Sequence, residues 1–64
     1  MKFPDVCVQL TGRDGNVFSI IANVTRALKK AGEAQAADQF AKDAMSCDSY
    51  DAVLRLCMQT VDVQ

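Results

Sequence analysis

The residues best placed to do chemistry lie in Gly12-Arg13-Asp14-Gly15-Asn16, where strand-like patterning gives way to helix-like patterning. A glycine-bearing turn at a helix N-terminus offers unpaired N–H groups and the positive end of the dipole, and Arg13 adds a charge. That chemistry suits a phosphate or a carboxylate. The segment matches neither the GxxxxGK of phosphate-cradling loops nor the GxGxxG of dinucleotide folds, and Asp14 would repel an anion. The favoured reading is a strand-to-helix connector in which glycine supplies an unusual backbone angle. The alternative keeps Gly12, Arg13, Gly15 and Asn16 as a ligand-holding or interaction turn.

Catalysis has little else to draw on. The chain has no histidine, so no Cys–His or Ser–His pair can form and the commonest general base is missing. Asp5, Asp48 and Asp51 could cluster, but Asp48 with Asp51 three residues later reads as a capping box with aspartate in place of glutamate. The three cysteines, Cys7, Cys47 and Cys57, are odd in number and widely spaced. They read as reduced thiols, since three thiolates without histidine lack a fourth zinc ligand. Cys57 falls on an apolar stripe, whereas Cys7 faces away from its neighbouring valines. The expectation is a non-enzyme with no catalytic residue, no metal and no cofactor.

These residues must be positioned by a short series of elements. From Phe3 to Leu10 the chain alternates, with Val6, Val8 and Leu10 on one face and Asp5, Cys7 and Gln9 on the other. Pro4 cannot donate to a ladder and belongs at the strand's start or on an edge. After Asn16 a helix puts Val17, Ile20, Ile21, Val24, Leu28 and Ala31 on one stripe. Lys29 and Lys30 suit its C-terminal dipole, and Gly32 suits a left-handed cap. A second helix, near Ala34 to Met45, carries Ala37, Phe40, Ala41, Ala44 and Met45 at helical spacing, so Phe40 must be its anchor. Ser46 to Ser49 interrupts the pattern. A third helix presents Tyr50, Val53, Leu54, Cys57 and Val61, with Leu56 outside the stripe, and residues 60–64 alternate as a short closing strand.

Sixty-four residues make a single domain, 1–64, and a marginal one. A chain this short buries only about 60% of its unfolded surface, so a second subunit would add stability. The net charge of −1 disfavours a phosphate-binding or acidic-membrane-binding role. No apolar run approaches the roughly 20 residues of a membrane span, and Met1 to Asp5 lacks a hydrophobic signal region. The cytoplasm is the expected location. A helix-turn-helix reading of Asn23 to Met45 would offer a phosphate only Lys42, beside Asp38 and Asp43, so nucleic-acid binding ranks third.

Two resemblances bear on the fold. Val6 to Gly32 resembles the opening of an ACT domain, an amino-acid-binding regulatory module. Its strand, glycine-containing turn and helix ending in Ala-Leu-x-x-Ala-Gly are matched by Ala27-Leu28-Lys29-Lys30-Ala31-Gly32. The match covers under half the chain, and no period-two run follows between Glu33 and Met45, where an ACT domain returns to strands; no ligand residue is carried over. The whole chain is similar to a group of short, uncharacterised bacterial and phage proteins. That similarity rests on the run Leu10 to Ile20, on Ala27-Leu28 and Ala31-Gly32, and on Tyr50-Asp51 through Met58 to Val61-Asp62-Val63. Those relatives commonly have glycine where Cys47 stands and proline near Ala34. The group brings no established activity with it.

The reading is therefore an α+β domain of order β-α-α-α-β, with the terminal strands paired and three helices on one face. Tight connections reverse the chain before each of the three helices. No turn former between Met58 and Val61 reverses it again, so the third helix runs on into the closing strand and the strands come out antiparallel. The expected function is a small protein-interaction module, homodimeric through the strand ribbon by its edge or by its outer face of Phe3, Cys7 and Gln9 beside Thr60 and Asp62, with an unknown protein partner and no membrane. The alternative is a small-ligand-binding regulatory domain using the Gly12–Asn16 turn.

Overall fold

A computed structural model describes residues 2–9 and 17–64. Its elements are β1 (Phe3–Val8), α1 (Val17–Lys30), α2 (Ala34–Met45), α3 (Tyr50–Thr60) and β2 (Val61–Val63), an α+β layout with the two strands paired. Alternation in β1 works as the sequence implies: Val6 and Val8 are buried while Asp5, Cys7 and Gln9 are exposed. In α1 the stripe of Ile20, Ile21, Val24 and Leu28 is buried.

The end of α1 has a definite chemical cause. Gly32 takes a φ of +83°, in the left-handed region that glycine enters without a Cβ penalty. There the Gly32 N–H donates to the Lys29 carbonyl at 3.0 Å and the Glu33 N–H to the Leu28 carbonyl at 2.8 Å. This pair of bonds is a Schellman cap; it satisfies carbonyls that the helix end would otherwise orphan. The chain then turns back, and α2 packs chiefly against α1 through Ala37, Phe40 and Ala44. Alanine at two of these three positions lets the helices approach, and Phe40 fills the space between them.

At α3 two expectations need correction. The N-cap is Ser49, not Asp48: Ser49 is extended (φ −149°, ψ 162°) and its side chain accepts from the Ala52 N–H at 3.1 Å. Asp51 instead pairs with Arg55 at 3.0 Å on the helix surface. Tyr50, read as a core residue, is 40% exposed, because a cap at Ser49 sets Val53, Cys57 and Thr60 inward and leaves Tyr50 on the flank. Likewise Met45, placed on the α2 stripe, is 66% exposed.

The strand pair is parallel, not antiparallel. As expected, helix runs directly into strand: Val61 is extended (φ −131°, ψ 169°) while its N–H still donates to the Cys57 carbonyl. The direct run from α3 into β2 therefore does not produce the antiparallel pair that counting reversals implies. α3 touches α2 far less than α1 does, so it is not packed along α2 as closely as α1 is. The connection between the strands thus carries α1, α2 and α3, the long crossover that a parallel pair requires.

Pairing matches Phe3 with Val61, Cys7 with Asp62 and Val8 with Val63, with an irregularity between Phe3 and Cys7. Pro4, which has no N–H to give, lies inside that irregularity. The break in alternation sends Phe3 against the core, and Thr60 is also buried, its hydroxyl donating to the Leu56 carbonyl at 2.7 Å. The ribbon's outer face therefore lacks the Phe3 and Thr60 expected there. Val61, with Val6 and Val8, joins the helical residues in one continuous core.

Candidate functional site

Gly12, Arg13, Gly15 and Asn16, the residues singled out from the sequence, lie outside the described residues. The other chemistry-bearing groups can be placed. Cys57 is fully buried, and burial first, then the neighbouring Cys47, pushes its thiol up to about 11. A thiol so shifted stays protonated and is a poor nucleophile at neutral pH. Cys7 is exposed on the sheet's outer face, with Sγ 3.7 Å from Asp62 Oδ2 and accepting from Gln64 Nε2 at 3.6 Å. Its pKa is also raised, by desolvation first, then by Asp62 and Asp5, whose negative charges oppose a thiolate. Neither thiol is activated.

The carboxylates do not gather as one set. Asp5 stands on β1 near Cys7 and Asp62, whereas Asp51 belongs to the α3 surface pair with Arg55. Among the described residues, no group of three or more His, Cys, Asp or Glu side chains could hold a metal ion. Cys47 and Ser46 instead donate to the Asp43 and Lys42 carbonyls at the end of α2.

What the structure does assemble is a cleft of about 120 Å³ where the start of β1 meets α2 and α3. Phe3, Ala36, Phe40 and Leu56 give it an apolar lining, and Lys2, Gln39, Asp43 and Thr60 give it polar edges. Helical spacing on α2 explains half of it: Ala36, Gln39, Phe40 and Asp43 stand at i, i+3, i+4 and i+7, one face of the helix. Gln39 Nε2 donates to Asp43 Oδ1 at 2.9 Å along the same face. Lys2 is held by its backbone, whose N–H donates to the Gln59 carbonyl at 2.9 Å. The spacing on α2 was visible in the sequence, but nothing local said that Phe3, Leu56 and Thr60 would close it.

A second feature is the outward flank of α3. Tyr50, Leu54 and Met58 recur at i, i+4 and i+8; Tyr50 is 40% and Met58 53% exposed, and Leu54 between them is half-buried. Leu56 and Thr60 lie on the opposite flank, toward the cleft. Asp51 and Arg55 border the apolar row as an exposed ion pair. No helix among the described residues is long and apolar enough to cross a membrane. No family model, curated protein or solved structure matches this chain.

Proposed function

We propose that this chain is a small non-enzymatic protein-interaction module that works as a homodimer in the cytoplasm of a bacterium or of a phage-infected cell. The observation that supports the reading is the Tyr50–Leu54–Met58 row, an apolar surface lying along one helix. Monomeric surfaces commonly expose single apolar residues, but an aligned row of three on one flank suits a helix-to-helix contact.

Symmetry makes a second copy the natural occupant. An antiparallel two-fold centred near Leu54 sets Tyr50 against the partner's Met58. The same operator brings Asp51 within reach of the partner's Arg55, so the charges bordering the row are complementary across it. The chain's small size adds to the argument, because burial against a partner offsets the marginal core of a 64-residue domain. The strand ribbon is a weaker interface than the sequence implied, since Phe3 and Thr60 have left its outer face to Cys7, Gln9 and Asp62.

Light scattering at micromolar concentration tests the reading. The expected mass is twice that of the 7.0 kDa chain. A monomer mass across the micromolar range would remove the homodimer.

A further inference from the structure

We propose that the cleft between β1, α2 and α3 is a binding site for a small primary amine with an apolar body of about four to six carbons. This goes beyond the protein-interaction reading and does not depend on it, because the cleft and the outward row lie on opposite flanks of α3.

Size sets the body of the ligand. A cleft of about 120 Å³ is somewhat smaller than the roughly 150 Å³ apolar cavity known to take benzene, so a branched alkyl chain or a single ring is the upper limit. Phe3, Phe40 and Leu56 supply the apolar contact.

Hydrogen-bonding capacity sets the head group. Gln39 Nε2 gives one of its two hydrogens to Asp43 Oδ1 at 2.9 Å, and Gln39 Oε1 and Asp43 Oδ2 remain able to accept. Thr60 spends its hydroxyl hydrogen on the Leu56 carbonyl at 2.7 Å, so any further bond its oxygen makes is as an acceptor. Acceptors from three side chains match the three N–H groups of a primary ammonium, and one of them carries a full negative charge. Among the described residues lining the cleft Lys2 alone is cationic; it is exposed, and its long stem lets the ammonium extend into water. A carboxylate ligand would meet Asp43 as a repelling charge.

The test is an amide-resonance titration of the full chain with 3-methylbutylamine hydrochloride, with 3-methylbutanol and 4-methylpentanoate as probes of matched shape. For so small a ligand the expected Kd is on the order of 10 mM. The amine should give saturable shifts at Ala36, Phe40, Leu56 and Thr60, and the alcohol and the carboxylate should bind more weakly. Asp43→Asn should weaken amine binding about threefold to fivefold, the range of an exposed ion pair. Lys2→Gln should strengthen it slightly by removing a like charge. Ala36→Leu fills the cleft from a helix position that tolerates leucine and should abolish the shifts while the melting temperature holds or rises. Equal binding of the alcohol or the carboxylate, amine shifts indifferent to both Asp43→Asn and Ala36→Leu, or no saturable shift up to roughly 100 mM amine would each overturn the proposal.

Discussion

The α1–α2 hairpin and the α3–β2 segment are built from the same kind of amphipathic pattern, yet they end in different states. In the hairpin the core positions Ile20, Ile21, Val24 and Leu28 are buried with Ala37, Phe40 and Ala44, the junction is pinned by the Gly32 cap, and the exposed Phe18 and Met45 fall one to each helix. In α3 the apolar residues left outside are aligned on one flank. Val53, Cys57 and Thr60 go into the core while Tyr50 and Met58 stay out. The difference shows that helical spacing fixes which residues share a face, while tertiary packing decides how many faces are covered. A flank left apolar after the core is complete is available for association.

The sharpest break in this comparison comes at Phe40. Phe40→Ala should cost roughly 3–5 kcal/mol in urea denaturation, enough to unfold a domain of this size, because it empties the space that alanines cannot fill. A shift of only a degree or two would mean that α2 is loosely attached and that the two regions do not differ.

Next in size is the pH dependence set by Cys57. Its thiol is raised from an ordinary value of 9.0 to about 11 in the folded chain. The folded state therefore holds the proton more tightly than the unfolded state. The resulting stability is fully present below about pH 9 and is lost as the pH rises toward about 11. Cys57→Val should shrink the loss of stability over that interval by on the order of 2 kcal/mol. An unchanged pH profile would place Cys57 outside the core.

Gly32→Ala should destabilise by about 1 kcal/mol. A Cβ built there meets nothing within 4 Å, so the cost is conformational, arising from the φ of +83°. Thermal melts would show it, and a neutral or stabilising result would contradict the left-handed cap. Ser49→Ala should cost a similar or smaller amount, about 0.5–1 kcal/mol, while Asp48→Ala should cost less. Reversal of that order would restore Asp48 as the cap.

These predictions also mark where local sequence carried the fold and where it did not. The extents of α1 and α2 were legible because periodicity, terminal lysines and Gly32 all agree within a few residues. The α3 start was legible only to within one position, since Asp48 and Ser49 are both good caps and the backbone chooses between them. Strand direction was not legible. It is set by how three helices pack between the strands, a tertiary property that no single connecting residue encodes by type. Phe3 was assigned to the wrong face because an irregularity at Pro4 breaks the period-two rule. The cleft was legible in part, as a polar-apolar face on α2, but its remaining lining comes from segments far apart in the chain.

The most direct test of the outward flank is an isotope-filtered NOE experiment on a mixture of labelled and unlabelled chains, which reports only contacts between copies. The account predicts contacts between the ring of Tyr50 and the partner's Met58 methyl, and between the Leu54 methyls of the two copies. Intermolecular contacts confined to Cys7, Gln9 and Asp62 on the bare sheet face, or none at all, would contradict it.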